Sequence, residues 1–443
     1  MSESTTEQLR HTEESEFAAF VAIDWADQEH AWALQDAGNG RREQGKLAQM
    51  PEAIEAWATG LADRFQGRPI AVALEQARGA LVYALSKYKH LVLYPIHPST
   101  SSKYRAAMFP SGAKDDPKDA ELLLELLLYR RNRLRALQPD TSSMRQLQVL
   151  VEKRRQLVNQ KTAFTNRITD QLKQYFPQIL QWFDDVDSPL VTAFLQCWPT
   201  LQHLQAATAE QILALLHRHN SRSQARNQQR LEQIPKARPL TLDAAIVGPA
   251  RLMVETRLEL VQVLRTGITK LEKQIEQICA EQPDFAIFNS FPGAAKALAP
   301  RLLAAFGSRR ERYTSASQVQ TYSGIAPVIS RSGKSVWIHA RHTCPKFLRQ
   351  TFHEYAAQSL GACHWARAFY DKQRAKGKGR HAAIRSLAFK WIRILFRCWQ
   401  DRVPYSEQRA LERRAPRPAP SEKTVEFVWQ SVVEFSKFSI EGS

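Results

Sequence analysis

The sequence predicts an α/β domain, then a long helical spacer, then a mainly helical third region. Three observations carry this. Short apolar runs alternate with helical patterns from Phe17 to about Leu137. From about Ser142 to Gln282 glycine nearly vanishes, and Gln, Leu, Arg and Lys dominate. Phe291-Pro292-Gly293 then opens a region rich in helix formers and base that runs to about Val403.

The elements follow in order. Met1 to Glu16 reads as a solvated tail. Strands are expected at Phe20-Val21-Ala22-Ile23, Ala31-Trp32-Ala33-Leu34, Ile70-Ala71-Val72-Ala73-Leu74 and Leu91-Val92-Leu93-Tyr94. A turn at Asn39-Gly40 fits a hairpin to a further strand. Helices are expected around Pro51–Phe65, Ala80–Tyr88 and Pro117–Arg131. In the spacer, Val261, Leu264, Ile268, Leu271, Ile275 and Ile278 step by alternating threes and fours, a heptad seam. Leu147, Leu150, Leu157, Phe164, Ile168 and Leu172 give a rougher partner, so two long antiparallel helices are expected, with Gln181 to Pro249 inserted between them. This region reads either as an oligomerisation element or as a plain spacer. The expected divisions are a disordered tail at 1–16, the α/β domain at 17–137, the coiled-coil region at 138–285, a C-terminal domain at 286–405, and a linker and tail at 406–443. Within the last, Arg413 to Lys423 has linker composition, and Thr424 to Phe438 is apolar and aromatic.

Composition narrows the partners. The chain has 443 residues, with 62 Lys and Arg against 44 Asp and Glu, a formal charge of +18. A hydrophobic share of 44% suffices for real cores, so the chain is not disordered throughout. The length suits two or three domains. The five cysteines are scattered, with neither a CxxC pair nor zinc spacing, which argues against a disulfide scaffold and a structural zinc site. No apolar run approaches the roughly 18 residues of a membrane span. The acidic start at Met1–Glu16 is the reverse of a signal peptide. A soluble protein with a polyanionic partner remains, and nucleic acid is the first expectation, because cations on phosphates release counterions.

The carboxylates point to chemistry. Phe20–Asp24 and Ala71–Glu75 are apolar runs that each end in a carboxylate. As strand neighbours, Asp24 and Glu75 would stand side by side at a sheet end, where a divalent cation resolves their repulsion. Asp116 before Pro117 fits a helix N-cap, and Asp119 three residues on can face the same way. Each piece alone is commonplace: Asp-x-x-Asp is usually a cap and a dipole partner. The ordered set Asp24, Glu75, Asp116, Asp119 is more specific, and is the pattern of an RNase H-like, two-metal phosphodiester site.

This order resembles the DEDD transposases of insertion sequences, the insertion-sequence "one-ten" family. A second match lies in the third region. Tyr322-Ser323-Gly324-Ile325-Ala326-Pro327, followed by Ser330-Arg331-Ser332-Gly333-Lys334-Ser335, resembles the family's C-terminal transposase domain. Phe291-Pro292-Gly293-Ala294-Ala295 takes the place of its Pro-Gly-x-Gly turn, with Ala295 where a second glycine is usual. Arg341-His342-Thr343-Cys344-Pro345-Lys346 stands where Lys-Arg-Gly is common, and Arg78 where a smaller residue is common. The resemblance spans roughly residues 17 to 405, with a spacer that is long for the family.

The resemblance implies a RuvC-like N-terminal domain and an RNA-guided DNA recombinase. Asp24, Glu75, Asp116 and Asp119 would be catalytic and hold Mg²⁺. Ser332 would be the nucleophile, forming a phosphoserine link to DNA. Donor and target DNA would be paired through a non-coding bridge RNA. The protein would form a homo-oligomer, a dimer or tetramer, with a composite site, in a prokaryotic cytoplasm at the nucleoid. On texture alone the segment around Ser332 is a polar turn, and Ser330 and Ser335 rival it; only the family spacing from Gly324 selects Ser332.

Arg331 and Lys334 flank that serine and can hold phosphate. The run Lys376-Gly377-Lys378-Gly379-Arg380 reads as a basic loop opening a helix, suited to a nucleic-acid backbone. Trp391, Phe396 and Trp399, which follow it, read as core. Arg130, Arg131, Arg133, Arg135, Lys153, Arg154 and Arg155 are further candidates for an RNA backbone. Two rival readings stay open: a RuvC-like nuclease or Holliday-junction resolvase that uses water, and a non-enzymatic nucleic-acid-binding protein on the same fold.

Overall fold

The computed structural model describes residues 16–108, 116–333 and 335–407, the side chains at 116 and 117 excepted. Residues 1–15, Lys334, and the stretches 413–423 and 424–438 lie outside the described residues. The chain divides into two units, Met1–Pro139 and Asp140–Ser443.

The first unit is a mixed sheet between helices. Strands β1 (Ala19–Asp24), β2 (Glu29–Asp36) and β3 (Arg42–Ala48) run antiparallel, while β4 (Ile70–Leu74) and β5 (Leu91–Pro95) run parallel to β1, in the order β3-β2-β1-β4-β5. The β2–β3 turn lies where Asn39-Gly40 predicts it: Gly40 donates its N–H to the Asp36 carbonyl at 3.0 Å. Helix α1 (Pro51–Arg64) makes the crossover to β4, and α2 (Ala80–Leu85) the crossover to β5. A polar helix that the sequence pattern does not announce, α3 (Pro98–Met108), leaves the end of β5, and α4 (Asp116–Arg130) follows.

Strand alternation decides which helix lies where. Val21, Ile23, Ile70, Val72 and Leu74 face one side and pack with Ile54 and Leu61 of α1 and Leu81 and Leu85 of α2. Ala22, Ala33, Ala71 and Ala73 face the other, and small residues there let α4 pack Leu122, Leu123, Leu126 and Leu127 close against the sheet. Each such leucine contributes about 1.5–3 kcal/mol by burial, so α4 is held firmly with its first turn at the sheet end. Strands β1 and β4, covered on both faces, read as near-continuous apolar runs for this reason.

The second unit is mostly helical. Helices α5 (Ser142–Tyr175) and α11 (Ala244–Ala280) form the expected antiparallel pair: Ser143 bonds Gln282, Arg154 pairs with Glu272, and Arg257 reaches the Arg167 carbonyl. In the heptad seam, Val261, Ile268 and Ile275 are buried, while Leu264, Leu271 and Ile278 are half-buried. Between the two lie α6 (Gln178–Trp182), α7 (Pro189–Cys197), α8 (Leu201–Gln205), α9 (Ala209–Arg218) and α10 (Gln224–Gln233), with their own core around Phe176, Phe194 and Leu216. The inserted segment ends at the Asp243 cap, short of the expected Pro249, which α11 accommodates within its second turn.

The rest of the unit comprises α12 (Phe285–Asn289), α13 (Ala295–Phe306), α14 (Ala316–Tyr322), the hairpin β6 (Val328–Ser332) and β7 (Ser335–His339), α15 (Lys346–Gln358), α16 (His364–Ala375) and α17 (Arg380–Gln400). Its core joins Met144, Leu147 and Ile275 from the long helices to Phe306, Phe352, Trp391 and Trp399. Both tryptophans are fully buried and hydrogen-bonded, Trp391 to Ser359 and Trp399 to the Gly307 carbonyl, and Phe396 packs against the same core. The three are core residues, as the sequence reads them.

Candidate active site

Asp24 is the last residue of β1, and Glu75 directly follows β4. The two strands are parallel neighbours with Ile23 opposite Leu74, so both carboxylates leave the same end of the sheet side by side. Both are half-buried. The chain beyond Asp24 is pinned by His30, a fully buried residue that accepts the Ala26 N–H at Nδ1 (3.1 Å) and meets Gln49 at Nε2 (2.5 Å). Trp25, 42% exposed, stacks on its ring.

Helix α3 begins at the same end, because β5 is parallel to β4. Its first turn carries Ser101, which is 1% exposed and donates its hydroxyl to Glu75 Oε1. One turn on, Arg105 Nη2 pairs with Oδ1 of Asp119, which is 5% exposed in the first turn of α4. The structure therefore gathers Asp24, Glu75 and Asp119 on elements that meet at one sheet end, with α3 touching two of the three. The Asp116 side chain lies outside the described residues. Among the described residues, no three His, Cys, Asp or Glu side chains stand close enough together to hold a metal ion. The donor chemistry itself, carboxylate oxygen throughout, suits a hard dication.

Sequence reasoning missed His30, Ser101 and Arg105. Ser101 and Arg105 had one signal, a polar i, i+4 pair just after a proline at a helix start. That pattern is common on solvated helices and reveals nothing of what lies across it.

Ser332 belongs to the second unit. It ends β6, faces Ser335 across the hairpin and precedes Gly333, whose φ is +56°. Ser330, Arg331 and Ser332 are all exposed, and Lys334 lies outside the described residues. The pairing Ser330–Trp337 puts Trp337, 50% exposed, on the same face as Ser332; Ile329 and Ile338 occupy the other. The hairpin base is held more tightly. The Gln320 carbonyl accepts the N–H groups of Ile325 and Ala326, and the Gln320 side chain reaches the Phe389 carbonyl of α17. Gly324, at φ +73°, leaves no room for a side chain: a Cβ there would collide with Cys344 Sγ. The Gly-Ile-Ala-Pro segment before the hairpin and the Arg-His-Thr-Cys segment after it are thus locked together.

The Pro-Gly turn is real. Gly293, at φ +77°, passes within 2.9 Å of the Gln358 carbonyl, measured from where a Cβ would sit. Ala295 also adopts a positive φ, +44°, a left-handed conformation that costs a side-chain-bearing residue and that glycine takes freely.

Lys376, Lys378 and Arg380 are exposed in and after the loop between α16 and α17. Gly377, at φ +81°, turns that loop, and Arg374 donates to the Lys378 carbonyl. Although the Lys378 side chain is exposed, local desolvation and then the nearby Lys376 charge lower its pKa. Some other basic candidates are already engaged: Arg131 lies over Phe17 and pairs with Glu16, Arg154 pairs with Glu272, and Arg155 with Glu354.

Two family profiles and several curated proteins match the chain. A family profile described as "Transposase", of the IS110 DEDD type, matches residues 21–177, which include the four carboxylates. A second, "Transposase IS116/IS110/IS902 family", matches residues 286–371, which include Ser332. The chain is 28% identical to the mini-circle putative transposase for IS117 of Streptomyces coelicolor, over 90% of this chain and 97% of that protein. It is 25% identical to an IS110 protein of the same organism, over 70% of this chain and 76% of that one, and 24% identical to an IS900 protein of Mycobacterium paratuberculosis, over 70% and 77%. Among the described residues no helix is long and apolar enough to cross a membrane. The chain belongs to the IS110 family of DEDD insertion-sequence transposases, whose substrate is DNA.

Proposed function

We propose that this transposase is an RNA-guided recombinase that cuts and rejoins DNA through a phosphoserine intermediate, with Mg²⁺ held by Asp24, Glu75, Asp116 and Asp119. The observation that carries the reading is the parallel register of β1 and β4, which delivers Asp24 and Glu75 together to the sheet end where α4 begins. The strand order, three antiparallel strands followed by two parallel ones, supports an RNase H-like, RuvC-like domain.

The residues divide the work by their chemistry. A bound dication would stabilise the charge that builds on the scissile phosphate and on the leaving oxygen. Ser332 Oγ, exposed at a hairpin end, would attack phosphorus; its O–P bond would form as a phosphodiester P–O bond breaks, and the displaced sugar oxygen would take up a proton as the serine loses its own to solvent. The ester conserves the bond energy, so rejoining needs no nucleotide cofactor. Arg331, Lys334, Lys376, Lys378 and Arg380 would hold nucleic-acid phosphates. A site shared between protomers of a dimer or tetramer belongs to the same reading and rests on the family resemblance alone. The net charge of +18 supports a nucleic-acid partner, and the guide RNA rests on the family resemblance.

Reconstitution tests this reading. Recombination is measured with DNA carrying the element's end, RNA transcribed from that end, and Mg²⁺, leaving out each in turn. Product is expected only with all three. Product without RNA would remove the guide, and product in excess chelator would remove the metal.

A further inference from the structure

We infer that Ser101 is a positioning residue for the carboxylate site, fixing Glu75 so that its other oxygen is available to a divalent cation. The inference rests on the metal reading above. Its basis is the composition of α3. Of the eleven residues Pro98–Met108, the one that is buried is a serine. A helix docked only for packing would bury an apolar side chain at that place. Here the buried group is a hydroxyl, and it lies on Glu75 Oε1.

Alternatives for that hydroxyl are few. It also lies 3.0 Å from the Pro98 carbonyl, but it has a single hydrogen, and an ionised carboxylate is the stronger acceptor. The bond ties down one carboxylate oxygen of a half-buried side chain just past the end of β4. Ligating carboxylates are commonly held by such outer hydrogen bonds, and losing one costs roughly 10- to 100-fold in metal affinity. The helix has a second grip on the same site through Arg105 and Asp119, so its placement is fixed at two points a turn apart. Arg105 carries a charge that opposes a nearby cation, so its removal mixes two effects of opposite sign. Ser101 is neutral and reports orientation alone.

The test is Mn²⁺ affinity of the full chain, read by electron paramagnetic resonance of the free ion. Ser101→Ala is expected to weaken binding about 10-fold or more, with thermal unfolding of the metal-free protein unchanged. In a double-mutant cycle, Ser101→Ala in a Glu75→Gln background is expected to cost nothing further, because Ser101 acts through Glu75. Should the alanine variant fold poorly, Ser101→Cys fills the site with a slightly larger, weaker donor and is expected to shift affinity the same way, by less. Unchanged Mn²⁺ affinity in Ser101→Ala, beside wild-type binding that Asp24→Asn abolishes, would overturn the role of Ser101 and leave the metal site standing. Wild-type binding that Asp24→Asn does not touch would sink both.

Discussion

At the carboxylate end of the first sheet, Asp24 and Glu75 leave strands that are buried on both faces, and neighbouring side chains grip Glu75 and Asp119 before any substrate arrives. At the β6–β7 hairpin, Ser332 and its flanking residues stand in solvent, and only the base is clamped, by Gln320 and by Cys344 against Gly324. A two-stranded hairpin is marginally stable by itself. The difference teaches where order comes from in each half of the chemistry. The carboxylates are held at one sheet end by the fold, whereas the proposed nucleophile stands on an exposed two-stranded hairpin held at its base.

This contrast can be broken or sharpened by substitution. The largest effect is expected from Asp24→Asn, which should cut recombination on the order of a thousandfold or more, because charge stabilisation at the phosphate is lost. Thermal unfolding, followed by circular dichroism, should hardly move, since the side chain is at a strand end and not in the core. A large fall in stability would mean that Asp24 serves the fold.

Two tryptophans of the second unit form the next pair. Trp391→Ala is expected to cost about 3–5 kcal/mol in chemical denaturation, as for other buried aromatics. Trp337→Ala, on the exposed hairpin face beside Ser332, is expected to stay within about 0.5 kcal/mol of wild type. An equal loss from both would show that the hairpin is packed as firmly as the core.

Gly324→Ala sits between these extremes. It adds a left-handed strain of about 1–2 kcal/mol to a collision with Cys344, and combining it with Cys344→Ala should recover part of the loss. No recovery in the double variant would remove the proposed lock between the two hairpin ends. The smallest effect runs the other way. Ala295→Gly is expected to raise stability by up to about 1 kcal/mol, because glycine takes the positive φ freely; a fall would show that the alanine methyl packs there usefully.

Much of the first unit was legible in the sequence for a physical reason. Two short apolar runs that each end in a carboxylate read as buried strands between turn signals, and Asp24 and Glu75 do stand at neighbouring strand ends. The long helices were legible through the heptad at 261–278, though the sequence left open what the seam faces; Val261 and Ile275 pack into cores that include residues of α5 in the same chain. Helix α3 was not legible, since Pro-Ser-Thr-Ser-Ser-Lys-Tyr-Arg has no apolar period and its grip is polar. Arg154 and Arg155 looked like free cations because their partners, Glu272 and Glu354, are far away in sequence. Ser332 differs from Ser330 and Ser335 only by position in a motif, and no local property of the chain separates them.

The reading proposed above is that Ser332 attacks phosphorus and that the same step needs the Asp24 carboxylate. Adduct formation tests it most directly: end-labelled DNA is incubated with RNA and Mg²⁺, and protein-linked label is read on a denaturing gel. The account predicts an adduct in wild type, in Ser330→Ala and in Ser335→Ala, none in Ser332→Ala or in Asp24→Asn, and partial return when the last two variants are mixed. DNA cleaved normally by Ser332→Ala, with no protein-linked label in any lane, would contradict it and make water the nucleophile.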